Sequence, residues 1–168
     1  GSFVETMGRM GVQIACGRDT IEVEGAPPGT AYRAIDVETG PYPGFATDLQ
    51  SPASVLMTRC AGTSRLHETI YEDRLEWLGE LRRMGADVTI LDAHHAEIGG
   101  PVRLHGTEVV ISDLRAGASL ILGALAADGI STIRGAHHVQ RGYENIDRKC
   151  HDLGARIDDE HYWLTVGP

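Results

Sequence analysis

The sequence predicts a mixed α/β chain built from repeated strand-helix-strand-helix-strand-strand units, two complete and one represented only by its tail. Three observations support this reading. Thr47-Asp48-Leu49-Gln50-Ser51-Pro52-Ala53-Ser54 and Ser112-Asp113-Leu114-Arg115-Ala116-Gly117-Ala118-Ser119 are copies of one pattern. Each copy follows a short extended segment and opens an apolar run at helical spacing, as a strand entering a helix does. A second pattern occurs three times, as Arg9-Met10-Gly11-Val12-Gln13-Ile14, Arg83-Met84-Gly85-Ala86-Asp87-Val88 and Asp152-Leu153-Gly154-Ala155-Arg156-Ile157. In each, a helix is expected to end at glycine, with two short strands after it. Finally, 168 residues with 42% hydrophobic content suffice for a real core.

Taken in order, Gly1-Ser2 reads as an expression scar, and residues 3–168 read as one truncated domain. Residues 3–31 are the tail of a unit, 32–100 the first complete unit and 101–168 the second. In the first complete unit the helix opens near Asp48, and two strands, Val88 to Leu91 and Ala96 to Gly99, follow the glycine-ended helix. The segment Pro41-Tyr42-Pro43-Gly44-Phe45 fixes a bent approach to Asp48, because two prolines and a glycine restrict the chain before the helix starts. An unfilled third unit should leave apolar surface and a sheet edge open, so self-association is expected.

A net charge of −9 without a basic run argues against a nucleic-acid or anionic-membrane surface. Neither an apolar run of membrane-spanning length nor a charged-then-apolar leader is present, and a cytoplasmic protein is expected. Of the 15 basic residues all but Lys149 are arginine, the residue that grips carboxylates and phosphates at two points. Genome composition accounts for that bias more simply than a binding role.

Cys16, Cys60 and Cys150 are too widely spaced for a disulfide framework or a metal pair and read as buried small side chains, none a nucleophile. The pairs His94-His95 and His137-His138 would point to opposite faces of a strand and could not chelate one ion together. No metal or cofactor is expected.

The remaining candidates sit at element ends. Thr47 or Asp48 in one copy, and Asp113 in the other, suit the N-cap of a helix, and position alone favours capping over catalysis. Arg115 is harder to place, since a cation in the first helical turn opposes the helix dipole by roughly 0.3–1 kcal/mol. Either a bound phosphate or carboxylate, or a pair with an acidic neighbour such as Asp113, would offset this. Arg74 and Arg141 lie just ahead of second helices, where a solvated charge is the ordinary explanation. Gly142 beside Arg141 would let that loop bend or swing. Arg82 and Arg83 suit a helix C-terminus and carry no assigned role.

Several segments occur together in an order that carries a resemblance. They are Pro43-Gly44-Phe45-Ala46-Thr47-Asp48-Leu49-Gln50, Glu68-Thr69-Ile70-Tyr71-Glu72-Asp73-Arg74, Leu81-Arg82-Arg83-Met84-Gly85-Ala86, Ser112 to Leu120, and Arg141-Gly142-Tyr143-Glu144. Nearly the whole chain resembles the C-terminal part of the UDP-N-acetylglucosamine 1-carboxyvinyltransferases, enolpyruvyl transferases that begin peptidoglycan precursor synthesis. The resemblance implies an inside-out α/β barrel domain, with helices in the middle and sheets outside, and an active site in the cleft between two such domains. The implied reaction moves the enolpyruvyl group of phosphoenolpyruvate to the 3′-hydroxyl of UDP-N-acetylglucosamine and releases phosphate through a tetrahedral addition intermediate.

The resemblance also implies roles. Asp48 matches the contact to the sugar hydroxyl and the general base, Ile70 and Tyr71 match contacts to the nucleotide sugar, and Arg74 matches an arginine of the cleft wall. Asp113, Leu114 and Arg115 match a segment near phosphoenolpyruvate, and Arg141 matches an arginine that reaches its anionic groups. Two converging arginines would stabilise charge as phosphate departs.

This chain departs from the family pattern at Tyr71, where phenylalanine is common, at Asp73, where asparagine is, and at Gly117, where serine is. None of its cysteines matches the family's reactive cysteine loop. That loop and the N-terminal lysine and arginines that hold phosphoenolpyruvate are expected on a domain not present here, so the chain alone is expected to be inactive. The alternatives are a shikimate-pathway enolpyruvyl transferase relative and a non-catalytic binding module of the same fold.

Overall fold

The repeated glycine pattern is a helix ending. Gly11 follows α1 (Ser2–Met10), Gly85 follows α3 (Leu78–Arg83) and Gly154 follows α6 (Ile146–Asp152), with φ of 99°, 94° and 95°. One residue later an amide returns to the closing turn: Val12 to the Met7 carbonyl at 3.0 Å, Ala86 to Leu81 at 3.3 Å and Ala155 to Cys150 at 3.0 Å. This Schellman-type closure needs a left-handed residue, which glycine supplies without a Cβ penalty.

The computed structural model describes residues 2–27, 29–152, 154–160 and 163–167. Gly1 of the expected scar and Leu153 of the third glycine repeat lie outside the described residues. Two units are distinguished, Gly1–Leu75 with Thr89–Pro101, and Glu76–Val88 with Val102–Pro168.

In the first unit, β1 (Gln13–Cys16) and β2 (Ile21–Glu24) form an antiparallel hairpin. All of its residues are exposed except the half-buried Ile14. Cys16 is therefore exposed, which corrects its expected burial; Cys60 and Cys150 are buried. The main sheet runs β3 (Tyr32–Arg33), β5 (Cys60–His67), β7 (His95–Gly100), β6 (Asp87–Ile90), and β4 (Val37–Glu38) also pairs with β5. β3 and β4 are parallel to β5, reached through α2 (Gln50–Met57), whereas β7 is antiparallel.

The second unit repeats this connectivity. β8 (Glu108–Val110) leads through α4 (Leu114–Leu125) to a parallel β9 (Ser131–Arg134). α5 (His137–Gln140) and α6 then precede β10 (Arg156–Glu160) and β11 (Trp163–Gly167), and β11 runs antiparallel to both β10 and β9. Its order, β10-β11-β9-β8, matches the β6-β7-β5 arrangement of the first sheet, each a mixed sheet built on one parallel crossover.

Each unit has its own core. Val37, Phe45, Val55, Met57, Leu66 and Ile98 are buried in the first, and Leu78, Met84, Leu104, Val109, Leu120 and Ile133 in the second. The helices between parallel strands are wrapped nearly all round: α2 buries Gln50, Ser51, Ala53, Ser54, Val55 and Met57. α4 buries Ala116, Gly117, Ser119, Leu120, Ile121, Gly123 and Ala124. Small side chains dominate because a helix covered on several faces needs close approach.

Candidate active site

The first copy of the repeat does not open as a side-chain-capped helix. Thr47–Leu49 forms a 3-10 turn after an extended Ala46, α2 begins at Gln50, and neither start carries a side-chain cap bond. The expected capping by Thr47 or Asp48 is corrected, and the reason is where their oxygens go. Thr47 Oγ1 donates to Glu68 Oε2 at 2.7 Å and accepts from Arg74 Nη1 at 2.9 Å. Asp48 Oδ1 faces Arg74 Nη2 at 3.3 Å. The approach is bent as expected: the Gly44 amide meets the Pro41 carbonyl at 2.7 Å, the Gly40 amide meets Phe45 at 2.9 Å, and Phe45 is buried. A side chain at Gly44 would collide with that turn, its Cβ 2.9 Å from the Pro41 oxygen.

Arg74 is not the solvated charge of the ordinary explanation. Its side chain is 14% exposed, against 64% for its partner Asp48. The guanidinium lies 4.6 Å from the centre of the Tyr71 ring, a cation-π contact, and the Arg74 carbonyl accepts from Gln50 Nε2 at 3.3 Å. An anchored cation thus holds an exposed carboxylate, with Ile70 and Tyr71, both exposed, on the adjoining turn.

Glu68, which the sequence did not single out, organises this group. It is fully buried at the end of β5 and accepts from the hydroxyls of Thr39 and Thr47 and from the amides of Ile70 and Tyr71. Its own carbonyl meets His94 Nδ1 at 2.7 Å. The signal was present: Glu68, one residue past β5, continues the inward alternation of Ser64 and Leu66, and all three are buried.

The second copy does what the first does not. Asp113, extended at φ −149°, accepts from the amides of Arg115 at 2.8 Å and Ala116 at 3.2 Å, capping α4. Leu114 and Arg115 are half-buried in its first turn. Arg141, exposed at the end of α5, donates from Nη2 to His138 Nδ1 at 2.8 Å. Gly142 serves close packing rather than a swing, since a Cβ there would sit 2.7 Å from the Leu114 methyls. Gly117 is similar: a Cβ there would collide with Val139 Cγ2 and fall 2.8 Å from Ile111 Cγ2. His137 and His138 lie on α5, not on a strand as expected, with ring centres 4.1 Å apart. Desolvation, then His137 and Arg141, hold His138 below the ordinary histidine value, opposed by Asp113.

The structure thus gathers Asp48, Ile70, Tyr71 and Arg74 in the first unit, and Asp113, Leu114, Arg115 and Arg141 around the start of α4 in the second. A hollow of about 260 Å³ in the first unit is elsewhere, lined by residues such as Asp36, Glu38, Arg65, His67 and His95 and by neither Asp48 nor Arg74. There His67 and His95 stack at 4.2 Å, with Glu38 and Asp92 on their Nδ1 atoms. The exposed ladder of charge suits the outward face of a sheet better than a reacting centre. Among the described residues, no group of three or more His, Cys, Asp and Glu could hold a metal ion, and no helix is long and apolar enough to cross a membrane.

Comparison with known proteins places the chain in a family. The family described as EPSP synthase (3-phosphoshikimate 1-carboxyvinyltransferase) matches residues 1–150. UDP-N-acetylglucosamine 1-carboxyvinyltransferase 2 of Geobacillus kaustophilus is 44% identical over 93% of this chain and 36% of its own length. The UDP-N-acetylglucosamine 1-carboxyvinyltransferase of Halothermothrix orenii is 46% identical over the same shares. The crystal structure of the enolpyruvyl transferase NikO from Streptomyces tendae superposes with a TM-score of 0.86 at 29% identity, covering 99% of this chain and 37% of that one. The chain therefore spans little more than a third of the length of these relatives.

Proposed function

Because the chain belongs to the EPSP synthase family of 1-carboxyvinyl transferases, we propose that it forms part of an enzyme that moves enolpyruvyl from phosphoenolpyruvate to the 3′-hydroxyl of UDP-N-acetylglucosamine. Asp48 takes the proton of the attacking hydroxyl, and Arg74, stacked on Tyr71, holds that carboxylate in place. Ile70 and Tyr71 face the nucleotide sugar. Asp113, Leu114 and Arg115 lie by phosphoenolpyruvate, where Arg115 and Arg141 meet its anionic groups and the charge of the departing phosphate. The observation that carries this reading is the pairing of a largely exposed Asp48 with a largely buried Arg74, a carboxylate presented outward on a fixed support.

On the same reading the chain is most of one inside-out barrel domain, with residues 32–100 and 101–168 as its complete units and 3–31 as the tail of another. A second domain closes the site, and this chain by itself is inactive. The complete enzyme works in the cytoplasm, early in peptidoglycan precursor synthesis. A shikimate acceptor is the rival, since the matching family carries that enzyme's description; the relatives at 44–46% identity favour the nucleotide sugar.

Titration calorimetry on the complete protein separates the two. Binding of UDP-N-acetylglucosamine, with turnover lost in Asp48→Asn, supports the reading. Binding of shikimate 3-phosphate in its place, or turnover undiminished in the mutant, removes the acceptor or the base respectively.

A further inference from the structure

Resting on the function proposed above, we infer that Glu68 is a positioning residue for transfer, acting through Thr47 to fix Arg74 and hence Asp48. Burying a carboxylate costs more than burying a neutral side chain of the same size, so stability alone gives little reason for an acid here. Its surroundings give another. Oε1 accepts from Thr39 Oγ1 at 3.0 Å, the Ile70 amide at 2.8 Å and the Tyr71 amide at 3.3 Å; Oε2 accepts from Thr47 Oγ1 at 2.7 Å. All four are donors, and a carboxylate is the side chain that only accepts.

The consequence lies at Thr47. A hydroxyl has one hydrogen, and with that hydrogen on Glu68 its lone pairs are left for Arg74 Nη1 at 2.9 Å. Arg74 is then set by two acceptors, Thr47 Oγ1 and Asp48 Oδ1. Thr39 is aligned in the same way: its Oγ1 accepts from the Thr69 amide at 2.9 Å, so its hydrogen also points to Glu68. Glutamine has the same shape but carries an NH₂. Turned toward Thr47, that NH₂ would force the hydroxyl hydrogen onto the guanidinium; turned the other way, it would face two amides and Thr39. Either orientation sets donor against donor beside the base.

The test uses the complete enzyme with phosphoenolpyruvate and UDP-N-acetylglucosamine. Thr47→Val deletes the relay while leaving three of the four Glu68 donors in place, so it reads the inference even if Glu68→Gln folds poorly. The expected result is a loss in kcat of about tenfold or more in each, with KM for the sugar changed by no more than about threefold. Thr47→Ser should stay near the parent, and the double variant should lose no more than the worse single, as residues in one chain of contacts do. Parental kcat in Thr47→Val, or losses that multiply in the double variant, would overturn the inference and leave Glu68 a structural acid. A parent without transfer activity, or an Asp48→Asn variant with full activity, would instead remove the underlying function and the inference with it.

Discussion

The two copies of the Thr/Ser-Asp-Leu pattern show how one sequence motif can put its carboxylate to two uses. Their helices agree in detail. Ser54 donates to the Gln50 carbonyl at 2.8 Å, and Ser119, its counterpart, to Arg115 at 2.9 Å. They part at the entrance. Asp113 comes almost directly from β8 in an extended conformation, and its side chain folds back onto two amides of α4. Asp48 comes from the Pro-Gly loop through a 3-10 turn, which rotates its carboxylate away from the helix amides toward Arg74. The lesson is that the residues ahead of the motif decide whether its acid closes a helix, as Asp113 does, or turns to an arginine, as Asp48 does.

The sharpest way to break this comparison is to exchange function for structure at both aspartates in the complete enzyme. Asp48→Asn should lower kcat by about 10² to 10⁴, the usual contribution of a general base, with little change in melting temperature. Steady-state kinetics beside calorimetry would check it, and a stability loss without a kinetic one would make the two acids alike.

Next in size is Gly117, where the family commonly has serine. Against Val139 and Ile111 a Gly117→Ser side chain is overpacked, and chemical denaturation should show a loss of about 1–3 kcal/mol. Asp113→Ala removes the cap of α4 and should cost about 1 kcal/mol in the same measurement. An Asp113→Ala variant of undiminished stability would remove the capping role assigned to the second copy.

The smallest effect is electrostatic. Asp113 raises the His138 pKa against desolvation, His137 and Arg141, so Asp113→Asn should move the His138 titration further down, as seen in ring-proton NMR. With its folded value already below the ordinary 6.5, His138 favours the folded state fully above that pH, and this contribution fades as pH falls through the lowered value.

Much of the fold was legible because it is local and repeated. The glycine-ended helices needed only their short motifs, and the order of strands and helices followed from the spacing of the copies. The contact between Asp48 and Arg74 was not legible, since no periodicity says that residues 26 apart will meet and the resemblance names the two separately. The local pattern at Thr47 and Asp48 matches that of Asp113 and so suggests a cap in both copies. The partners that draw those oxygens away, Glu68 and Arg74, come from the end of β5 and the turn after it. Glu68 itself was hidden by its chemistry: an acid in an inward strand phase runs against the burial rule, and only the donors around it make sense of the exception. Glycine frees the backbone, so the sequence alone suggests a bend at Gly142; what it leaves instead is room for Leu114.

The exposed hairpin thiol has a practical consequence for anyone handling this polypeptide. Burial pushes the Cys60 thiol up to about 11 and raises that of Cys150 as well, so both are poor nucleophiles near neutral pH, whereas Cys16 stands open to reagents. A maleimide dye or spin label should therefore react first at Cys16. That selectivity offers a one-step route to a tagged protein without engineering away the other two sulfurs.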